Sequence, residues 1–147
     1  MLVGLPGSGK TTWLEDQKLP FLSSDRVRHL LIDDEQNQTI NRLVFTTLRY
    51  LLKQRIKAGA PVTYIDSTAL SPWERRCWIR FAQTHDCEIE AIFFDTPLEV
   101  CLERNSSRTR VVPAEVIQAM ARRMVAPTEA EGFRKITVIL DTSHPAS

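Results

Sequence analysis

Residues 4–11 read Gly-Leu-Pro-Gly-Ser-Gly-Lys-Thr and satisfy G-x-x-x-x-G-K-[ST] at every required position. The chemistry open to such a loop is phosphate binding. Glycine loses more backbone freedom on folding than any other residue, so Gly4, Gly7 and Gly9 in so short a span need a reason. Bare backbone lets successive N–H groups turn toward one anion, and a helix opening directly afterwards adds its positive end. On this reading Gly4, Pro6, Gly7, Ser8, Gly9, Lys10, Thr11 and Thr12 hold the phosphates of a nucleoside triphosphate, expected to be ATP. Lys10 reaches the β- and γ-phosphates, and the Thr11 hydroxyl is a hard oxygen ligand of the kind Mg²⁺ prefers.

Three carboxylates fall at the ends of apolar stretches: Asp25, Asp66 and Asp95. Asp66 ends Val-Thr-Tyr-Ile-Asp, where a phosphate-binding enzyme needs a carboxylate near its metal. Asp25 lies in Ser-Ser-Asp-Arg-Val-Arg and has two readings, a helix cap or a general base that takes a proton from an attacking hydroxyl. Arg28 follows three residues later on the same helical face, where a forked guanidinium could neutralise an acceptor phosphate. Asp95 reads as structural, with Thr96 as the cap. From Arg104 to Ala114 the chain carries three arginines and no acid. Such a run is either a solvated surface or a lid, about residues 104–113, whose Arg104 and Arg108 close over a transferring phosphoryl group. His29, His85 and His144 have no triad or ligand spacing and read as incidental.

The elements that must position these groups alternate. Strands are expected at Met1–Val3, Phe21–Ser23, Val62–Asp66, Glu88–Asp95 and Ile136–Leu140. Helices are expected at Lys10–Gln17, Asp25–Ile32, Thr39–Ala58, Pro72–Thr84, after Pro97 and over Pro113–Ala126. Val44, Leu48, Leu51, Leu52 and Ile56 recur on one stripe of the long helix. Ser71-Pro72-Trp73-Glu74 is a capping box with proline at the first helical position, and Thr96–Glu99 repeats the pattern. Alternating strands and helices argue an α/β fold, a parallel sheet of about five strands with helices on both faces. That is the P-loop NTPase arrangement, with ligands at the carboxyl ends of the strands.

The 147 residues suggest one domain, 43% hydrophobic and 25% charged, with a formal net charge of +1. Without a global field, any site for a polyanion must be local. Three cysteines without metal-ligand spacing suit a reduced compartment. No apolar run approaches membrane-spanning length, so a cytoplasmic protein that binds no membrane is expected.

The motifs GLPGSGKTTW, SSDRVRHLLIDDEQNQT, YIDSTAL, VCLERNSSRTR and EGFRKITVI span nearly the whole chain. Together they resemble P-loop kinases of the polynucleotide 5′-hydroxyl kinase type, in particular the kinase domain of bacterial RNA end-repair enzymes. The resemblance implies that Lys10 and Thr11 hold ATP and Mg²⁺, that Asp66 organises the metal through water, and that Asp25 is the base on an acceptor 5′-hydroxyl. It implies further that Arg28 contacts the acceptor's neighbouring phosphate and that Arg104 and Arg108 are lid arginines. Where such kinases often carry D-x-T-N, this chain has Asp66-Ser67-Thr68-Ala69, and its lid is shorter. Two alternatives stay open on the residues: a small-molecule P-loop kinase, and an ATPase module with no hydroxyl acceptor.

Overall fold

A computed structural model describes residues 1–141. Its elements run β1 (Leu2–Val3), α1 (Lys10–Asp16), β2 (Phe21–Ser23), α2 (Ser24–Ile32), α3 (Asn41–Lys57), β3 (Tyr64–Asp66), α4 (Pro72–Thr84), β4 (Glu90–Asp95), α5 (Leu98–Ser106), α6 (Ala114–Arg123) and β5 (Lys135–Leu140). Strands and helices interleave, with two helices in succession at α2–α3 and again at α5–α6, and every strand pair is parallel. Parallel neighbours need a crossover between them, which α2 and α3 supply from β2 to β3 and α5 and α6 from β4 to β5.

Hydrogen-bonded pairing divides the strands into β1–β4–β5 and β2–β3 rather than one continuous ladder. The reason lies at β1, which is two residues long before Gly4 turns the chain away. Gly4 N–H then donates to the Thr68 carbonyl at 3.1 Å, so β1 and β3 meet just past their carboxyl ends. Both faces are covered. Val3, Ile65 and Ala91 pack with Val27, Val44, Leu48, Trp78 and Ile79 from α2, α3 and α4. Leu2 and Phe94 pack with Leu14 of α1 on the other side, Trp13 adding edge-on contacts to Tyr64 and Phe94.

Local signals were read well at α4, whose Ser71–Glu74 capping box is present in both directions. They were misread at α5. Thr96 does not cap it; its hydroxyl donates to the Ser8 carbonyl at 3.1 Å and braces the phosphate-binding loop instead. The last helix ends at Arg123, three residues early, and Val116 faces outward while Ile117 is buried. The lid is also smaller than expected, because Arg104–Ser106 belong to α5.

One buried charge fixes the loop after β3. Arg75, on α4, has no exposure. Its Nε and one terminal nitrogen donate to the two oxygens of Glu131 at 2.8 Å each. The other terminal nitrogen donates to the Ala69 and Val125 carbonyls at 2.9 and 3.0 Å. Burial raises the Glu131 carboxyl, but the Arg75 hydrogen bonds, the Thr128 amide and the Arg75 charge outweigh it and hold the group below its ordinary 4.5. Breaking a buried pair leaves an uncompensated charge, so Arg75→Ala should lower stability by about 3–5 kcal/mol in denaturant unfolding. Because the folded Glu131 value is depressed, the pair's contribution is fully present above 4.5 and is lost as pH falls through the folded value. Glu131→Gln should therefore be less stable than the parent at neutral pH, and the gap should close in an acid titration of unfolding.

Candidate functional site

The loop after β1 takes the conformation its glycines were expected to permit. Gly7 has φ +83° and Gly9 φ +94°, the left-handed region that a side chain resists. A Cβ on Gly7 would stand 2.5 Å from the Cys101 carbonyl oxygen, so α5 lies hard against the loop. Lys10 is buried and curls back into the cradle, its Nζ donating to the Gly4 and Leu5 carbonyls at 2.8 and 2.9 Å and to Ser8 Oγ at 3.3 Å. Desolvation is the largest influence on this ammonium and lowers it to about 8; Asp66, Cys101 and Asp25 oppose the fall, and Arg108 adds to it.

Two oxygen donors converge at the adjoining strand end. Thr11 Oγ1 donates to Asp66 Oδ2 at 2.7 Å, linking α1 to β3. A hydroxyl and a carboxylate at that separation form a hard donor set that fits Mg²⁺ with water completing its shell. The two residues were identified in the sequence from separate motifs, and the fold brings them together.

The two readings of Asp25 separate in the structure. Ser23 is the residue that caps α2, its Oγ accepting from the Arg26 amide. Asp25 sits in the first turn without capping the helix, and it opens onto the same cavity as Lys10 and Thr11. Arg28 N–H donates to Asp25 Oδ1 at 2.9 Å. Arg28 borders the same cavity. It is 3% exposed, and its guanidinium also donates to the Glu35 carbonyl at 3.3 Å and to Asn41 Oδ1 at 2.7 Å. Its Nε is buried without a hydrogen-bond partner among the described residues. Arg28 thus ties α2 to Asn41 at the start of α3 and holds Asp25, and it remains in the cavity lining.

Arg104 lies over the loop, its guanidinium 3.8 Å from where a Gly9 Cβ would stand, and it pairs with Asp141 at 2.6 Å. Arg108 faces the same cavity, near enough to influence Lys10. The short lid is tied to α5 by Asn105, whose side chain donates to the Val112 carbonyl at 2.6 Å and accepts from the Val112 amide at 2.9 Å. Sequence reasoning missed Arg110, which reaches across from the lid to pair with Asp25 Oδ2 at 2.7 Å. The signal was present as the third arginine of the acid-free run. It also missed Arg75, which stands between Glu74 and Arg76 on α4. The whole arrangement encloses about 950 Å³, cationic toward the loop and lid and apolar toward Phe45, Trp73, Trp78 and Met120.

Among solved structures, one from Chloroflexus aurantiacus is similar over 97% of this chain and 84% of its own, with a TM-score of 0.72 and 18% identity. Another is the Mycobacterium tuberculosis APS kinase CysC, in complex with AMPPNP and APS, similar over 93% of this chain and 85% of its own, with a TM-score of 0.61 and 16% identity. At such identities the likeness carries the fold. By sequence the chain is 24% identical to the L-seryl-tRNA(Sec) kinase of Methanococcus maripaludis over 97% of its own length. It spans 58% of that relative. No described helix is long and apolar enough to cross a membrane. A family model described as an AAA domain matches residues 1–127, and on that match the chain belongs to the AAA_33 family.

Proposed function

We propose that this chain is an ATP-dependent kinase acting on a hydroxyl group, and that the acceptor is the 5′-hydroxyl end of a polynucleotide. The observation that carries the reading is one shared cavity holding a phosphate cradle, the Thr11–Asp66 oxygen pair and the Asp25 carboxylate. Loop amides and Lys10 bind the triphosphate, and Lys10 must leave the Gly4 and Leu5 carbonyls to do so. Thr11 and Asp66 would hold Mg²⁺, which neutralises phosphate charge. Asp25 accepts the proton of the acceptor hydroxyl as its oxygen attacks the γ-phosphorus. The bond from that phosphorus to the bridging oxygen breaks, and ADP leaves. Arg104 and Arg108 stabilise charge on the transferring oxygens.

A second acceptor reading, a serine hydroxyl carried on tRNA, is favoured by the likeness to an L-seryl-tRNA(Sec) kinase across nearly the whole chain. Incubation with γ-labelled ATP and, separately, a 5′-hydroxyl oligonucleotide, seryl-tRNA and free sugars separates the acceptors. Label on the oligonucleotide supports the first reading; label on seryl-tRNA or sugar alone replaces it. ATP hydrolysis that no acceptor stimulates removes the kinase reading altogether.

Asp25→Asn should lower the transfer rate by about 10²–10⁴-fold, the usual worth of a general base, with ATP affinity unchanged in equilibrium binding. Lost ATP binding in that variant would make Asp25 structural. Gly7→Ala, forced against the Cys101 carbonyl, should abolish nucleotide binding while circular dichroism stays that of the parent.

A further inference from the structure

The apolar side of the cavity carries groups that the phosphate chemistry leaves unused. Trp73, in the first turn of α4, lines it and is 77% exposed. The other two tryptophans are packed: Trp13 meets Tyr64 and Phe94 edge-on, and Trp78 is buried beside Phe45. Trp73 makes no ring contact or side-chain hydrogen bond with a described residue. The backbone sets this placement. The Ser71–Glu74 capping box fixes the turn, and α4 buries Arg75, Trp78, Ile79 and Ala82 on its inner face. That phase leaves Trp73 outward, with Cys77 one helical turn on and also in the cavity lining. Exposed apolar surface of this size beside a cavity marks a place where something binds.

Arg123 lies in the last turn of α6, where Val116, Met120 and Arg123 follow at helical spacing and all line the cavity. The chain leaving α6 is bonded to the chain entering α4, the Val125 amide donating to the Leu70 carbonyl at 2.9 Å. Arg123 and Trp73 therefore stand two and three positions from one shared hydrogen bond. They are not stacked on each other, and the Arg123 guanidinium has no ion pair or hydrogen bond to a described residue. An indole face and a cationic plane thus border one space without meeting. A phosphate placed there would leave the indole without a partner, and an aliphatic chain would leave the guanidinium without one. A planar π-system satisfies both, and nucleobases stack on aromatic rings and on arginine planes alike. Seven positions separate Trp73 from Asp66, a stretch of chain that spans no more than about 25 Å. A ring held by Trp73 is therefore within a few nucleotides of the reacting end.

We propose that Trp73 and Arg123 form a clamp for an unpaired nucleobase of the acceptor strand. This rests on the polynucleotide reading above and adds to it the course of the strand, from Asp25 past the segment after β3 to the start of α4. A base lying between two side chains has left its own stack and its pairing partner, so the clamp takes single-stranded ends. It reads no sequence, because every base has a π-face.

The test compares a short single-stranded 5′-hydroxyl oligonucleotide with a copy whose terminal few nucleotides lack their bases. Both are titrated onto the parent, Trp73→Ala, Trp73→Phe and Arg123→Gln, and both are then offered as acceptors with labelled ATP. In Trp73→Ala, Kd and KM for the base-bearing strand should rise about 5–150-fold, the worth of one base stacked on an aromatic ring. The values for the abasic copy should not move. Trp73→Phe should recover part of the loss, and Arg123→Gln should weaken the base-bearing strand selectively. Tryptophan fluorescence should be quenched when that strand binds the parent, and the quench should vanish in Trp73→Phe. Equal losses on both strands, a quench that survives in Trp73→Phe, or a loss confined to ATP binding would overturn the clamp while the kinase reading stands. Trp73-dependent binding of the base-bearing strand without transfer to it would keep the clamp and remove the polynucleotide kinase reading. A parent that neither binds nor phosphorylates either strand would remove both.

Discussion

A guanidinium with no solvent contact sits behind one wall of the cavity. Arg75 joins three segments far apart in sequence: the turn at Ala69 after β3, the chain leaving α6 at Val125, and Glu131 ahead of β5. Ala69 is itself in the left-handed region, at φ +49°, and its carbonyl points inward where water cannot reach it. A buried carbonyl needs a donor, and Arg75 supplies it. An apolar side chain of the same volume could match the pair's net stability, but it could donate to none of these oxygens. The pair therefore fixes a geometry, keeping Leu70 and its neighbours as one wall of the cavity.

The opposite wall depends on a second constraint, the meeting of β1 and β3. Parallel strands bring their carboxyl ends to one edge, so the loop after β1 and the carboxylate at the end of β3 are neighbours before any side chain is chosen. The Gly4–Thr68 hydrogen bond and the Thr11–Asp66 bond are the short-range expression of that topology. Thr96, at the end of β4, braces the loop from the other side through Ser8. The three strand ends together hold a loop whose own backbone, with two left-handed glycines, has little reason to stay in place.

The donor half of the site was legible in the sequence because it is local. The loop pattern, Lys10 and Thr11 lie within eight consecutive residues, and Asp66 ends a recognisable apolar strand. The order of strands and helices followed from periodicity and capping residues for the same reason. The side of the cavity around Asp25 was read less well because it is built from long side chains crossing between elements. The spacing put Arg28 and Asp25 on one helical face, but nothing in it showed that the guanidinium would also donate to Asn41 and the Glu35 carbonyl. Arg110 reaches Asp25 across 85 positions of sequence, and no periodicity encodes a contact of that kind. Thr96 was misread through competition, since one hydroxyl could cap α5 or brace the loop, and the loop carbonyl won.

A net charge of +1 conceals a cavity of concentrated cations held in check by the protein itself. Lys10 rests on carbonyls, Arg104 on Asp141, and Arg28 and Arg110 on Asp25. Arg108 and Arg123 are the exceptions, with no side-chain ion pair or hydrogen bond to a described residue. Holding these charges on internal acceptors limits their mutual repulsion while the molecule folds around them. It also means that an arriving phosphate exchanges one set of partners for another, and the net gain per contact is the modest difference between two hydrogen bonds. Affinity in such a site is moderate by construction. Which internal contacts a ligand can replace then sets what the cavity accepts, and Asp25 holds two of them, to Arg28 and Arg110.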